Sequence, residues 1–315
     1  MAKFDRIAVL GTGAVGGLYG GRLAQAGNDV HFLAKSDFAV LKSRGLQVRS
    51  PAGDFELPSL NVYDSASAIP QADLVVVTWK TTSNDHLQST LEPLCHAETL
   101  VLVLQNGLDS EQAAAEVVGA DRVLGGCCFL CSNRVEPGVI HHLDYGAISV
   151  GEYSPQLAGR ISTRLKQLAA LFLAAGVNLV PIESLAEARW KKLAWNIPFN
   201  GLNVVLDSST DKIIDDRAAC QLAEDLMWEV HKAARVAGAE FEESHVSKLI
   251  EMTRKMVPYD SSMYLDFKSG RPLEVESIFG APLRVALAEG YRPRKIEMLY
   301  QQLCYLDRMN RKQAD

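Results

Sequence analysis

The chain has 315 residues, which suggests two domains at about 150 residues each. Apolar residues make up 48% and charged residues 22%, as in folded globular proteins and unlike disordered chains. The net charge of −6 gives no overall attraction to nucleic acid or to an anionic membrane. No apolar run reaches the ~18 residues of a membrane helix, and no signal peptide is recognisable. Six cysteines are too few for a disulfide framework, so we expect a cytoplasmic protein.

The N-terminal segment has a pattern that is typical of dinucleotide-binding domains. Residues 4–10 and 29–34 are predicted strands with a small-residue helix between them. The loop before the helix consists of Gly11, Thr12, Gly13, Ala14, Val15 and Gly16. Gly11 permits a tight turn, Gly13 lets the backbone approach a pyrophosphate, and Gly16 lets the helix pack closely on the strand. We predict a dinucleotide site at this helix N-terminus, with a ligand-free turn as the alternative.

Two further segments, 74–78 and 99–104, are predicted strands made almost entirely of Val, Leu and Thr. Such runs are typical of parallel strands that are covered by helices on both faces. Helical patterns such as 83–94 and 109–118 alternate with them. This alternation predicts an α/β fold with a doubly wound, Rossmann-type sheet.

The residues that follow these strands are candidates for cofactor binding, because ligands of such sheets bind beyond the carboxyl ends of the strands. The candidates are Lys35, Lys80 and Asn106. NAD-dependent enzymes commonly have an acidic residue about 20 positions after the glycines, for the ribose 2′-OH. Here Lys35 and Ser36 occupy that place, which suits a 2′-phosphate and favours NADPH, although Lys35 as an ordinary exposed lysine is the alternative. We interpret Asp37 as the N-cap of a helix over 38–44.

The second half of the chain has a different pattern. Residues 123–151 predict antiparallel strands that extend the sheet, followed by a helix over 155–175 and a strand over 177–182. The helical patterns that follow cover 184–206, 211–238, 242–257, 274–289 and 293–312. We therefore predict a dinucleotide-binding domain over 1–183 and an all-helical domain over 184–315.

A row of polar residues occurs in the first of these helices. Lys192, Asn196 and Asn200 are spaced by four residues, so they lie on one helix face. Their neighbours are apolar, and buried polar groups need partners, so the row is expected to line a polar pocket. A lysine ammonium in such a pocket can stabilise the charge on a carbonyl oxygen during reduction and donate the proton. A satisfied hydrogen-bond network between domains is the structural alternative, and Lys191 is assigned to the surface.

A second polar cluster is found near residues 261–276. Ser262 is a candidate for holding a substrate carboxylate, and Glu274 for positioning Lys192 or binding a hydroxyl. Helix capping is an equally good explanation, with Ser261 or Ser262 opening one helix and Glu274 in the first turn of the next.

Cys128 and Cys131 form a CxxC motif, with Cys127 beside them. A metal or redox site is the alternative, but a zinc site with this spacing lies on a turn. Here the surrounding sequence predicts an apolar strand, on which Cys128 and Cys131 face opposite sides. We interpret these cysteines as buried packing residues and predict no metal site.

Taken together, these segments resemble the ketopantoate reductase (2-dehydropantoate 2-reductase) family over nearly the whole chain. The motifs that carry the resemblance are GTGAVGG at 11–17, Lys80 after VVVT, QNG at 105–107, EPG at 136–138, RWKKLAWNIPFN at 189–200, SSM at 261–263 and LEVE at 273–276. The family has a Rossmann-type domain followed by a helical domain, and its members reduce ketopantoate to pantoate with NADPH.

The resemblance implies a role for each candidate residue. Lys192 matches the catalytic lysine, Asn196 and Asn200 the substrate-side asparagines, and Ser262 and Glu274 the serine and glutamate that hold the substrate. Lys80 and Asn106 match cofactor-binding positions, and Lys35 stands where many members have Arg. A further asparagine of some members has no counterpart near 207–210, which leaves another 2-oxoacid open as the substrate.

Two other functions stay open at this stage. One is a different hydroxyacid dehydrogenase with a nucleotide domain and a helical lysine, and the other is a non-catalytic NADP-binding sensor. A sensor has no need of the polar row, which therefore favours an enzyme. The expected partner is a small 2-oxoacid, with no nucleic acid and no membrane, and a homodimer is left open.

Overall fold

An open mixed sheet dominates the first half of the chain in the computed structural model, which describes residues 4–314 and side chains up to residue 311. Within these residues its ten strands are β1 (Arg6–Leu10), β2 (Asp29–Leu33), β3 (Leu46–Arg49), β4 (Phe55–Leu57), β5 (Asn61–Tyr63), β6 (Ala72–Val77), β7 (Cys95–Val103), β8 (Val123–Glu136), β9 (Val139–Glu152) and β10 (Leu179–Pro181). The strand order is β4-β3-β9-β8-β7-β6-β1-β2-β5, and β10 pairs with β9.

Parallel pairing forms the centre of this sheet. Strand β1 pairs in parallel with β2 and β6, so that Val9 lies between Phe32 and Val76. The parallel ladder continues from β6 through β7 to β8, and β9 then returns antiparallel to β8. The predicted Rossmann-type sheet with an antiparallel extension is confirmed.

Helices cover both faces of the sheet. They are α1 (Ala14–Gln25), α2 (Phe38–Arg44), α3 (Leu87–Leu94), α4 (Gln112–Val118) and α5 (Thr163–Ala174). Alternate side chains of β1 enter two separate cores: Ile7 and Val9 pack with α1 and α5, whereas Ala8 and Leu10 pack with α3 and α4. This two-sided burial explains why the central strands are apolar at every position.

Some predicted boundaries of helices in this first half of the chain are wrong. The helix predicted over 155–175 begins at Thr163, because Leu157 and Ala158 turn back to the carbonyl oxygen of Ser154. The Ser162 hydroxyl then accepts a hydrogen bond from the backbone of Leu165 and caps α5. The short strands β3, β4 and β5 were not expected from the sequence, since three or four residues give little periodicity.

The rest of the chain is helical. Its helices are α6 (Leu185–Val205), α7 (Thr210–Asp215), α8 (Arg217–Val236), α9 (Ser244–Lys255), α10 (Ser262–Lys268), a π-helix (Glu276–Gly280), α11 (Ala281–Ala288) and α12 (Arg294–Ala314). The helix predicted over 211–238 is in fact two, because Asp216 has an extended backbone. Its carboxylate accepts hydrogen bonds from Ala218 and Ala219 and caps α8.

The chain divides into two compact units. The first contains the residues up to Gln105 and Ser110–Leu185, and the second contains Ala186 onward. The second unit also includes Asn106–Asp109, although this segment follows a strand of the sheet. Among the described residues, no helix has the length and apolar character needed to cross a membrane.

Candidate functional site

The glycine loop between β1 and α1 has the local geometry of a phosphate-binding turn. Gly11 has φ +97°, a conformation that other residues rarely adopt. A Cβ atom on Gly16 would lie 2.0 Å from the carbonyl oxygen of Gly11, so only glycine permits this close packing. A Cβ atom on Gly13 would meet nothing within 4 Å, which leaves its backbone open to a ligand. The N-terminal N–H groups of α1 have no partners within the helix and can bind phosphate oxygens.

Thr78 closes this turn, and the sequence analysis did not single it out. Its hydroxyl lies 2.8 Å from the carbonyl oxygen of Leu10 and 2.9 Å from that of Gly11. The backbone N–H of Trp79 also donates to Leu10. These bonds join the end of β6 to the end of β1. In the sequence, Thr78 could have been recognised as a hydroxyl residue directly after an apolar strand.

A network of amide side chains organises the segment around Lys80. Gln105 is buried and donates through Nε2 to Oδ1 of Asn84 at 2.7 Å and to the carbonyl oxygen of Trp79 at 3.0 Å. The indole Nε1 of Trp79 donates to the same Asn84 oxygen at 3.2 Å. Lys80 lies between these contacts, at the start of a 3₁₀ helix (Thr81–His86). The network therefore fixes the backbone that carries this candidate cofactor residue.

The segment after β2 differs from expectation at Asp37. Helix α2 covers the predicted residues and Asp37 stands at its N-cap position as predicted, but the Asp37 carboxylate forms no capping hydrogen bond with the helix. Its Oδ1 instead accepts hydrogen bonds from Ser36 and from Arg134, a residue of β8. Lys35 is exposed, as a ligand-binding cation at the sheet edge needs to be.

The predicted polar row lies on α6 in the second unit. Asn196 and Asn200 are 5% and 2% exposed, and Lys192 is half-buried beside them. Among the described residues, Nδ2 of Asn196 and Oδ1 of Asn200 have no hydrogen-bond partner. Buried polar atoms are nearly always paired in folded proteins, so this buried donor and acceptor are candidates for hydrogen bonds with a ligand. Lys191 forms an ion pair with Glu187 at the surface.

The polar side chains that follow the row along the chain form hydrogen bonds with backbone carbonyl oxygens. Asn203, which is fully buried, donates through Nδ2 to the carbonyl oxygen of Ser208 at 2.6 Å, while its Oδ1 has no hydrogen-bond partner among the described residues. The hydroxyl of Thr210 is bonded to the carbonyl oxygen of Tyr259 at 2.9 Å. Thr210 lies in the region where the family resemblance implies a further asparagine in some members, and its hydroxyl is occupied by this hydrogen bond.

The π-helix connects Asn106 with the polar row. The backbone N–H of Leu108 donates to the carbonyl oxygen of Ser277, and a Cβ atom on Gly107 would lie 2.4 Å from that oxygen. On α6, Gly201 packs against both α12 and the π-helix: an added Cβ atom would lie 2.5 Å from the side chain of Leu299 and 3.1 Å from the ring of Phe279. π-Helices occur frequently at functional sites. The π-helix thus contacts both the Asn106 segment and the part of α6 that follows Asn200. The sequence predicted neither contact.

Ser262 and Glu274 lie at the starts of two helical segments. The hydroxyl of Ser261 accepts a hydrogen bond from the backbone of Tyr264 and caps α10, so Ser262 is not needed as a cap. Ser262 is the first residue of that helix and is half-buried. Glu274 is 5% exposed, unlike a carboxylate that merely faces solvent in a first helical turn.

All three cysteines of the GGCCFLCS segment are buried in β8. Burial, and secondarily the charge of Asp144, raises the pKa of Cys131 to about 11. Cys128 packs in the core and contacts the buried Tyr19 hydroxyl, whose pKa is raised by its burial. The Cys131 thiol is therefore protonated at neutral pH, which is the behaviour of a packing residue rather than of a nucleophile.

Comparison with known proteins identifies the family. The family model described as Ketopantoate reductase PanE/ApbA matches residues 7–155, and the model of its C-terminal domain matches residues 184–305. A 2-dehydropantoate 2-reductase from Nostoc sp. is 46% identical over 97% of this chain and 96% of its own length.

Solved structures agree with these matches. The crystal structure of a 2-dehydropantoate 2-reductase from Geobacter metallireducens has a TM-score of 0.90 and 40% identity, over 98% of this chain and 100% of that one. Another, from Methylococcus capsulatus, has a TM-score of 0.85 and 30% identity over 97% of each chain. The chain belongs to the ketopantoate reductase family, a family of pyridine-nucleotide-dependent oxidoreductases.

Proposed function

We propose that the chain uses NADPH to reduce the 2-oxo group of ketopantoate to the hydroxyl of pantoate, or that of a closely related 2-oxoacid. One observation carries the proposal: the buried row on α6 contains an unpaired donor on Asn196 and an unpaired acceptor on Asn200, next to Lys192. A substrate hydroxyl both accepts and donates a hydrogen bond, so it satisfies both asparagines at once. Ketopantoate has such a hydroxyl on C4.

The first unit is proposed to bind the cofactor. The open backbone face of Gly13 and the N-terminus of α1 suit a pyrophosphate, and the exposed Lys35 suits a 2′-phosphate. Lys80, and Asn106 of the segment that belongs to the second unit, complete the proposed set of cofactor-binding residues. When bound, NADPH supplies the hydride that reaches C2 of the substrate. The fit of the glycine loop supports this assignment, and the exposed cation favours NADPH over NADH.

Lys192 is proposed to act as the proton donor. As C2 is reduced, negative charge develops on its oxygen, and an ammonium group stabilises that charge and donates the proton. Glu274, a buried carboxylate, is proposed to orient the ammonium, and Ser262 to bind the substrate carboxylate. A non-catalytic sensor would have no use for this arrangement of a cation beside unpaired amides.

A substrate panel tests the proposal. The loss of NADPH absorbance is followed with ketopantoate and with 3,3-dimethyl-2-oxobutyrate, which has the same skeleton without the 4-hydroxyl. Because a site built to bond a hydroxyl rejects the analogue that lacks it, we expect kcat/KM to be at least about tenfold higher for ketopantoate.

Equal kcat/KM values for the two acids would contradict the role of Asn196 and Asn200 and favour another 2-oxoacid. If NADPH bound but no 2-oxoacid oxidised it, the enzymatic proposal would be wrong. A homodimer stays open, and sedimentation of the purified protein tests it.

A further inference from the structure

An ion pair between the buried Asp37 and the partly exposed Arg134 joins the segment after β2 to the hairpin of β8 and β9. Nη1 of Arg134 donates to Oδ1 of Asp37 at 2.6 Å and lies 3.4 Å from the hydroxyl oxygen of Ser36. The Ser36 hydroxyl donates to the same carboxylate oxygen at 2.8 Å. The Asp37 side chain is 2% exposed, whereas that of Arg134 is 33% exposed. The surface beside Ser36 is therefore cationic, even though an aspartate follows it in the chain.

Packing of the hairpin on α2 fixes this position. At the hairpin tip, a Cβ atom added to Gly138 would lie 3.4 Å from the side chain of Val40 and 3.7 Å from that of Leu41. The carbonyl oxygen of Gly138 also accepts a hydrogen bond from the backbone of Gln47 at 2.8 Å. Arg134 pairs with a neighbouring residue of β9 inside this ladder. Its guanidinium is thus held at the segment after β2 by the fold and by Asp37.

Asp37 is not available to a ribose hydroxyl. Its Oδ1 already accepts two hydrogen bonds, and its Oδ2 is buried without a partner among the described residues. An acidic residue that recognises NAD must present an oxygen to the 2′-OH. The position of this carboxylate therefore does not support NAD recognition.

Arg134, in contrast, has unused donors. Among the described residues, its Nε and Nη2 atoms have no hydrogen-bond or ion-pair partner, because both of its contacts use Nη1. Lys35, directly before Ser36, is likewise exposed and has no such partner. A guanidinium presents its donors in a planar fork that matches a phosphate, whereas a lysine supplies a single point charge.

We propose that Arg134 is a specificity-determining residue that binds the 2′-phosphate of NADPH together with Lys35. Asp37 is its positioning residue, which holds the guanidinium beside Ser36 through Oδ1. The neutralisation of Asp37 by Arg134 also removes the repulsion that a bare carboxylate would exert on a phosphate dianion. This inference rests on the proposed use of NADPH and adds to it a residue 97 positions away from Asp37 along the chain.

The test compares two nucleotides that differ at the ribose 2′ position. The affinities of the full-length protein for 2′,5′-ADP and for 5′-AMP are measured by titration calorimetry, for the unmodified protein and for Arg134→Ala and Arg134→Lys. The double variant Arg134→Ala/Asp37→Asn leaves no unpaired buried charge and so guards against misfolding. Arg49→Ala is the matched control, since Arg49 is a half-exposed arginine of the same unit that pairs with Asp54 and Glu56.

We expect the loss of Arg134, alone or with Asp37, to weaken 2′,5′-ADP binding roughly ten- to hundredfold, the scale of a charge-assisted hydrogen bond. The affinity for 5′-AMP should change less than about threefold on that scale. Arg134→Lys should give an intermediate loss, and Arg49→Ala none. A merely structural role would weaken both nucleotides equally, and that result would overturn the inference.

The inference and the proposed function fail in different ways. If the unmodified protein prefers 2′,5′-ADP and the variants without Arg134 keep that preference, only the role of Arg134 is wrong. If the unmodified protein binds 2′,5′-ADP and 5′-AMP equally, the assignment of NADPH is wrong, and the role of Arg134 falls with it.

Discussion

The backbone N–H of Leu108 donates a hydrogen bond to the carbonyl oxygen of Ser277 at 2.8 Å, and this bond holds the segment that carries Asn106. The segment follows β7, yet it belongs to the helical unit. Asn106 is therefore placed by the π-helix that also packs against α6. A residue assigned to the cofactor from sequence is thus positioned by the unit that carries the proposed substrate residues.

Gly107→Ala should disturb this placement. Gly107 has φ +97°, and an added Cβ atom would lie 2.4 Å from the Ser277 oxygen, so the segment has to move. Because a displacement of about 1 Å near a reacting group costs on the order of 10²-fold, kcat/KM should fall by about that factor. Gly238→Ala is the control, since Gly238 has φ +73° with nothing within 4 Å. Gly238→Ala should lower the free energy of unfolding by about 1 kcal/mol and leave the kinetics unchanged. Similar kinetics for the two variants would contradict the positioning of the Asn106 segment by Ser277.

Two glycines of the loop before α1 should respond differently to alanine. Gly16→Ala places a Cβ atom 2.0 Å from a backbone oxygen and should lower the free energy of unfolding by about 1–3 kcal/mol. Gly13→Ala places a Cβ atom in open space and should leave the stability within about 1 kcal/mol. It should nevertheless weaken NADPH binding about tenfold, because the methyl group blocks the backbone approach. Unchanged NADPH affinity in Gly13→Ala would mean that no pyrophosphate binds there.

Replacement of the CxxC cysteines should leave catalysis nearly intact. The double variant Cys128→Ala/Cys131→Val removes two buried thiols of β8, so we expect a modest loss of stability and little change in kcat. A loss of activity, or of a stoichiometric metal, would show that these cysteines do more than pack.

Stability at high pH gives a second test of these cysteines. The pKa of Cys131 is raised from 9.0 to about 11 by burial. Below pH 9 the thiol is protonated in both folded and unfolded chains, and between about 9 and 11 only the unfolded chain ionises. The unmodified protein should therefore lose more stability than the double variant as pH rises through this window, as measured by urea unfolding. Parallel pH profiles would contradict the raised pKa.

Lys35→Glu should reverse or reduce the preference for NADPH. A carboxylate at this exposed position repels a 2′-phosphate and can accept a hydrogen bond from a 2′-OH. The ratio of kcat/KM for NADPH and NADH measures the effect, and Lys42→Glu on α2 is a control of equal charge change. The same ratio in the unmodified protein and in Lys35→Glu would mean that Lys35 is an ordinary surface lysine.

Contacts that are local in sequence were predictable. The strand, glycine loop and helix at the N-terminus were confirmed, because the glycine spacing encodes the turn directly. Lys192, Asn196 and Asn200 lie on one helix as predicted, since α-helical periodicity requires it. Their catalytic and binding roles stay predictions.

Contacts between distant residues were not predictable. Asp37 has the residue type and position of an N-cap, but Arg134 approaches it from 97 residues away and takes its carboxylate. The Asn106 segment joins the helical unit through contacts distant in sequence, the hydrogen bond from Leu108 to Ser277 and the packing of Leu108 on the helical core, which no local pattern encodes. The helix predicted over 211–238 breaks at Asp216 because capping of α8 outweighs helical continuity there.

The central claim is that Lys192 delivers the proton during reduction of a 2-oxoacid. Single-turnover oxidation of bound NADPH at saturating ketopantoate tests it most directly, in Lys192→Ala and in the adjacent control Lys191→Ala, whose lysine pairs with Glu187 at the surface. The account predicts a rate lower by about 10²–10⁴-fold for Lys192→Ala, an unchanged rate for Lys191→Ala, and similar NADPH affinity in both. A Lys192→Ala rate within about threefold of the unmodified protein's, far inside that span, would show that the polar row is not the active site.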